Sequence, residues 1–251
     1  MRIVHVYKDY FPVLGGIENH VRVLAEGQAA AGHGVGVVVC ALGRRTRRTV
    51  EAGVSVVRAA RWGTLRSMPL SPAYGAALRG VAADADVIHV HSPFPLGEQA
   101  SLALARGTPV VVTHHSDVVK QKLLLRFYAP FYRRFLDRAS RVIVTSAAYA
   151  RTSPWLAPHG AKCRVVPLGI DAHAFAPGPA GEAAQTDLLF AGKLRYYKGL
   201  DDLLQALERL EGVRLAVVGD GRMRQRLEAL AAAAALAGRV RFLGEVPDAA
   251  L

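Results

Sequence analysis

Residues 1–40 read MRIVHVYKDYFPVLGGIENHVRVLAEGQAAAGHGVGVVVC. Arg2–Tyr7 is a short, β-branched apolar run, and Gly15-Gly16 lead into a segment, Ile17–Ala31, whose apolar residues recur at helical spacing. Gly32 stops that helix, and Val35–Leu42 is a second apolar run. Strand, glycine turn, helix and strand make one βαβ unit, which requires parallel strands and a right-handed crossover.

The same rhythm extends outward. Further strand runs fall at Val54–Ala59, Asp86–Ser92, Pro109–Ser116, Arg141–Ser146 and Cys163–Leu168. They are apolar without alternation, as strands buried on both faces must be. Helices are expected over Ser71–Ala83, Leu96–Arg106, Val119–Arg138 and Ala147–Leu156, with Pro130 kinking or splitting the third. The pattern lapses over 172–185, where small residues and two prolines mark a linker. It restarts with strands Asp187–Ala191, Arg214–Gly219 and Val240–Gly244, separated by helices Gly199–Leu210 and Met223–Leu236. The expected fold class is therefore α/β, with two Rossmann-like, doubly wound parallel-sheet domains over 1–171 and 186–251. Three strands and two helices fall short of the ~100 residues such a domain usually takes, so the second domain is expected to be incomplete.

Composition narrows the field. Of 251 residues, 51% are hydrophobic and 21% charged, a globular balance. No apolar run reaches the ~18 residues that span a bilayer, and the start is a strand rather than a secretory signal. Cys40 and Cys163 fit no metal or redox spacing, which points to buried inert thiols and a reducing, cytoplasmic setting. The net charge of +12 is uneven: residues 1–180 hold 22 lysines and arginines against 10 acids, and residues 181–251 hold 10 of each. A basic first domain suits an anionic partner such as a phosphorylated substrate or a lipid headgroup, and equally a plain solvated surface.

Four segments carry candidate chemistry. Gly15 and Gly16 allow close backbone approach, and the helix behind them offers free N–H groups to phosphate; a steric need for glycine in the turn explains them equally. The spacing is not that of a dinucleotide fingerprint. Thr113-His114-His115-Ser116-Asp117 closes a strand, where ligands of open α/β sheets bind, and His89 and His91 end the strand before it. No short spacing gathers three metal ligands, so no metal is assigned. Gly192-Lys193 and Lys198-Gly199 flank the turn into a helix, a suitable diphosphate site that a solvated basic loop would also resemble. Gly219-Asp220-Gly221 makes a further glycine turn at the end of the next strand.

Together these segments resemble the GT-B glycosyltransferases of family 4, a retaining group, over nearly the whole chain. HVYKDYFPVLGGIENHVRVLAEGQAAAGHGVGVVV is similar to the family's opening strand, glycine loop and helix, and VVPLGID to the close of its first domain. FAGKLRYYKGLDDLLQAL resembles the donor-diphosphate motif, and VVGDG and VRFLGEV the strands beside the donor base. HSDVVKQKLLLRFY resembles a bacterial subset that builds surface polysaccharides, often from GDP-mannose.

The resemblance implies roles. Gly15 and Gly16 face donor phosphates and acceptor, His115 contacts the transferred sugar, and Lys193 and Lys198 bind the diphosphate. Gly219, Gly221, Gly244 and Val246 lie with the donor. The family more often has arginine at the Lys193 position; lysine keeps the charge without the bidentate fork. Sugar transfer with retention is expected, with no cofactor and no metal, since lysines and a helix N-terminus take the leaving-group charge. The family's two donor-holding glutamates, seven residues apart, fall beyond residue 251, so this chain is expected to transfer little. A non-catalytic remnant that binds nucleotide or lipid is the alternative.

Asp117, Lys120, Lys122 and Arg126 fall on the acceptor side, where leucines, aromatics and cations at helical spacing suit an anionic membrane or a polyprenyl-diphosphate-linked acceptor. A core helix with a solvated basic face reads the same way. The implied location is cytoplasmic, peripheral on the inner face of the plasma membrane. A nucleic-acid binder is disfavoured because no recognition motif or aromatic platform accompanies the charge. A dehydrogenase is disfavoured because GxGxxG and its acidic partner are absent.

Overall fold

The computed structural model describes residues 1–65, 68–104, 107–118, 122–169, 186–234 and 236–246, and of residues 122–125 the backbone alone. The chain forms two compact units, Met1–Ile170 and Asp171–Leu251. The expected linker over 172–185 lies outside the described residues.

The first unit opens with β1 (Arg2–Val6), α1 (Gly16–Ala30), β2 (Gly34–Cys40), β3 (Arg47–Glu51), β4 (Val54–Ala59) and a short hairpin, β5 (Gly63–Leu65) with β6 (Met68–Leu70). It continues with α2 (Tyr74–Ala82), β7 (Val87–Ser92), α3 (Pro95–Leu102), β8 (Val110–His114), α4 (Lys122–Arg138), β9 (Arg141–Val144), α5 (Ala147–Thr152) and β10 (Cys163–Val165). Eight strands form one sheet in the order β10-β9-β8-β7-β1-β2-β4-β3, parallel except where β3 runs antiparallel to β4 at the edge. From β1 the chain winds one way through β2 and β4, and from β7 the other way through β8, β9 and β10. The reversal lies between β1 and β7, and the crevice outside the C-terminal ends of strands at such a point is where doubly wound folds take ligands.

The valine runs explain the sheet. Val4, Val6, Val37, Val38, Val90, Val110, Val112, Val142 and Val144 are all buried. Continuous apolar strands of this kind are stable only when covered on both faces. Tyr74 secures α2 by donating its buried hydroxyl to the Val38 carbonyl at 2.8 Å. Arg47 and Arg48 begin β3, a strand absent from the expected runs: its first four residues are exposed, so it carries no apolar run to announce it. Pro130 does not split its helix; α4 is continuous from Lys122 to Arg138.

The second unit comprises β11 (Leu188–Ala191), α6 (Leu200–Glu208), β12 (Leu215–Val218), α7 (Arg224–Ala233) and β13 (Val240–Gly244), with a parallel sheet ordered β11-β12-β13. Its core gathers Leu194, Leu200, Leu204, Leu207, Leu215, Val217, Leu227 and Leu236. The spacing of Leu200, Leu204 and Leu207 gives α6 a single apolar face.

Candidate functional site

The switch point of the first unit is built from imidazoles. Parallel pairing sets His5 of β1 beside His89 of β7, and His91 follows on the same face two residues later. His20, in the second turn of α1, brings its ring centroid to 5.3 Å from that of His115, which follows β8. The glycine turn that opens α1 and the Thr113–Asp117 segment, a hundred residues apart in sequence, thus meet. His5, His89 and His91 are buried, and His20 and His115 half-buried.

These rings bond to one another. Gln28 Oε1 lies 2.7 Å from His5 Nε2. His5 Nδ1 lies 3.1 Å from His91 Nε2, and His91 Nδ1 lies 3.1 Å from His115 Nε2. His89 Nε2 meets the Thr113 hydroxyl at 2.7 Å. Burial favours the uncharged ring throughout. It brings His5 and His115 down to about 4, with mutual histidine repulsion adding to the effect. It holds His89 and His91 well below the usual value, and lowers His20. Neutral imidazoles are also metal ligands, and two trios, His5–His89–His91 and His20–His91–His115, hold ring nitrogens within 4.8 Å of one another. Such a spacing was not legible from linear distance, because the first trio joins β1 to β7 and the second draws its three rings from α1, β7 and the segment after β8.

A second network backs the first. Glu98 is buried; its Oε1 accepts from the Ser92 hydroxyl at 2.7 Å and the Phe94 N–H at 2.8 Å, and its Oε2 has no partner among the described residues. Burial pushes this carboxyl up to about 7, against those two bonds. Ser92 also meets the Tyr132 hydroxyl at 2.7 Å, which reaches His114 Nδ1 at 2.6 Å. His114 Nε2 lies 2.9 Å from Asp117 Oδ1, which accepts from Ser153 at 2.8 Å. Burial raises the Asp117 carboxyl, and its bonds to His114 and Ser153 more than reverse this, leaving it below the ordinary value. Asp117, expected on the acceptor side, is half-buried and bonded through Oδ1 to His114 and Ser153. Glu98, Tyr132, His5, His20 and Gln28 were missed as site residues.

Gly15 and Gly16 differ in what they require. A Cβ on Gly15 would fall 2.1 Å from the Glu18 carboxylate, which folds back over the turn, 3.9 Å from the Lys8 ammonium. A Cβ on Gly16 would meet nothing within 4 Å, so the protein's own packing does not demand glycine there. Lys120 lies outside the described residues, as does the side chain of Lys122. Arg126 is exposed on α4, beside exposed Phe127 and Phe131. Those two aromatics and the β5–β6 hairpin line a cavity of about 540 Å³ with Met68, Leu70 and Leu96.

In the second unit Lys193 and Lys198 are exposed around a single 3-10 turn, Tyr196–Lys198. Lys198 arches back, its Cε 4.0 Å from where a Gly192 Cβ would stand. Gly199 caps α6 in the left-handed region at φ 67°, while Asp201 and Asp202 occupy the first turn and offset part of the helix's positive end. Gly219 and Gly221 have a structural reason: a Cβ on Gly219 would sit 2.1 Å from the Gly192 carbonyl oxygen, and one on Gly221 2.4 Å from that of Leu194. They let the loops after β11 and β12 pack backbone to backbone. Gly244 accepts from the Gly219 N–H at 2.6 Å, in the left-handed region at φ 74°, and Val246 is half-buried just beyond β13.

Comparison with known proteins follows the two units. Residues 14–174 match the family described as Glycosyltransferase Family 4, and residues 180–251 match Glycosyl transferases group 1. The chain is 34% identical to D-rhamnosyltransferase WbpZ of Pseudomonas aeruginosa, over 99% of this chain and 67% of that protein. It is 32% identical to O-antigen chain mannosyltransferase C of Escherichia coli, over 88% of this chain and 61% of that protein. Among solved structures, sucrose-phosphate synthase from Thermosynechococcus elongatus superposes with a TM-score of 0.80 at 21% identity, over all of this chain and 72% of that one. That likeness shows the fold to be GT-B-like α/β.

Proposed function

The chain belongs to glycosyltransferase family 4, and on that premise we propose that it carries the acceptor-side unit and part of the donor-side unit of an enzyme that moves a hexose from a nucleotide sugar to a glycan or lipid-linked acceptor, with retention of anomeric configuration. The observation that carries this reading is the meeting of the α1 glycine turn, through His20, with His115 at the switch point of the first sheet. The two curated relatives are named for D-rhamnose and mannose transfer. Both sugars have the manno configuration, which favours a GDP-mannose-type donor.

The roles follow from chemistry. His115, half-buried and held neutral, hydrogen-bonds a sugar hydroxyl rather than pairing with a phosphate. Gly16, with open space where a side chain would go, exposes the α1 N-terminus to an anionic ligand. Lys193 and Lys198 take the diphosphate's charge as it grows on the leaving group, and no metal is then needed for that task. Gly244 and Val246 lie beside the nucleoside. On the acceptor side, Arg126, Phe127 and Phe131 give α4 a cationic and aromatic exposed face for a polyprenyl-diphosphate-linked acceptor or an anionic leaflet. No helix among the described residues is long and apolar enough to cross a membrane.

The test is titration calorimetry of this chain with GDP, UDP, ADP and GDP-mannose. Binding of GDP and GDP-mannose in preference to UDP and ADP is expected. Equal affinity for all three nucleotides removes the donor choice, and no binding of any removes the donor role of the second unit.

A further inference from the structure

Three imidazoles and one amide of the first unit form a line. It runs from Gln28 in the last part of α1, through His5 on β1 and His91 on β7, to His115 after β8, with separations of 2.7, 3.1 and 3.1 Å. The rings of His91 and His115 are inclined by only 18° with centroids 5.4 Å apart, and those of His5 and His91 by 29°, also at 5.4 Å. Each centroid separation exceeds the nitrogen–nitrogen distance by about two imidazole radii. The rings therefore sit end to end, with the bonded nitrogens between the centroids, which is the arrangement of a hydrogen-bonded chain.

A neutral imidazole has one N–H and one lone pair, on opposite nitrogens. A chain of neutral rings can thus be polarised in only two ways, and turning one ring alone would set two N–H groups or two lone pairs against each other. Gln28 presents Oε1, an acceptor, to His5 Nε2. His5 must then carry its proton on Nε2 and accept at Nδ1; His91 must donate from Nε2 and accept at Nδ1; His115 must donate from Nε2. Nδ1 of His115 has no partner among the described residues and is left with a lone pair. We propose that Gln28 is a positioning residue that fixes the tautomer of His115 through His5 and His91, so that the candidate site presents a hydrogen-bond acceptor at His115 Nδ1 to a ligand hydroxyl.

The surroundings fit. His89 lies against both buried rings, with centroids 4.4 Å from His91 and 5.0 Å from His5, but its own Nε2 is engaged with Thr113 and does not enter the line. His20 touches His91 and His115 edge-on. Charging any one ring would place it among four others in a desolvated space, and the low values of His5 and His115 reflect that. The chain thus stays neutral at ordinary pH, and its polarity is set at its far end. The ligand's identity as a donor sugar rests on the function proposed above; the tautomer does not.

The experiment is nitrogen-15 NMR of the histidines in the 251-residue protein near pH 7, where ring shifts and couplings report which nitrogen is protonated. Protonated Nε2 is expected for His5, His91 and His115 in the wild type. Gln28→Glu, acceptor-only when ionised, should keep that pattern, and Gln28→Leu should give mixed tautomers at His115. A His115 protonated on Nδ1 in the wild type, or one whose tautomer is unchanged in Gln28→Leu, overturns the proposal. So does stoichiometric zinc that survives dialysis and shifts His20, His91 and His115, because a metal would take the nitrogens the chain uses. A second measurement separates the two readings: Gln28→Leu should weaken GDP-mannose several-fold while leaving GDP unchanged. The expected tautomers without any nucleotide binding would refute the donor role and leave the relay standing.

Discussion

The C-terminal edges of the two sheets solve the same problem differently. In the first unit the polar groups are buried or half-buried and bonded to each other, as in Gln28–His5–His91–His115 and Glu98–Ser92–Tyr132–His114–Asp117. In the second unit the cations Lys193 and Lys198 stand in solvent, and the close packing is done by glycines, Gly219 and Gly221, against the backbone of Gly192 and Leu194. Hydrogen bonds within a buried polar network fix its geometry, at a cost where a group such as Glu98 Oε2 has no partner among the described residues. An exposed lysine costs little and fixes little, so it supplies charge. On the proposed function, the first unit discriminates by shape and hydrogen bonding and the second attracts an anion to a rigid turn.

The largest expected effect tests the rigid turn. Gly219→Ala forces a Cβ into the Gly192 carbonyl at a backbone φ of 121° and should destabilise the second unit by about 3 kcal/mol or more. Urea denaturation followed in that unit measures it, and a loss below about 1 kcal/mol would mean the loops part easily.

Next comes the buried carboxyl of the first unit. Glu98 binds its proton more tightly folded than unfolded, so the stability it confers is full below about 4.5 and is lost as pH rises through about 7. Glu98→Gln should remove that loss, with a gain at pH 8 of up to about 3 kcal/mol. The histidines work in the opposite sense. His5 is held neutral, so its contribution is present above 6.5 and is lost as pH falls through about 4. The two slopes oppose each other between about 4.5 and 6.5, and the Glu98→Gln protein should therefore show a steeper acid loss than the wild type in chemical denaturation from pH 7 to 4. Parallel profiles would show that Glu98 is not as buried as the structure has it.

Smaller effects probe the exposed cations. Lys198→Ala should weaken nucleoside-diphosphate binding by at least ~1.5 kcal/mol, the scale of a charge-assisted bond, without changing the melting temperature. An unchanged Kd takes Lys198 out of the site. Gly16→Ala is expected to alter stability by less than ~1 kcal/mol, and in the favourable direction, because a methyl there meets nothing. If it also weakens ligand binding, the open space at Gly16 belongs to a ligand.

Much of the fold was legible. Residues 1–40 announce β1, α1 and β2 to within two residues at each end, because apolar runs and glycine stops are local signals. β3 was not legible, since an exposed edge strand such as Arg47-Arg48-Thr49-Val50 has no hydrophobic pattern, and its partner β4 alone defines it. The site was half legible. His115 and the two lysines stand in segments the sequence singles out, but His5 lies inside the run Arg2–Tyr7 and Gln28 inside the helical segment Ile17–Ala31, where neither carries a local signal. Only the parallel register of β1 with β7 puts His5 beside His89.

The sequence by itself determined the alternation of strand and helix, the excess of positive charge in residues 1–180 and the family to which the chain belongs. These properties are carried by neighbours along the chain. The tertiary structure decided which histidines share a proton line, that Glu98 is kept from water, and that Gly219 and Gly221 serve backbone packing. Those depend on strand register and on burial, which are set by contacts between residues 23 to 86 positions apart and leave no periodic trace in the order of residues.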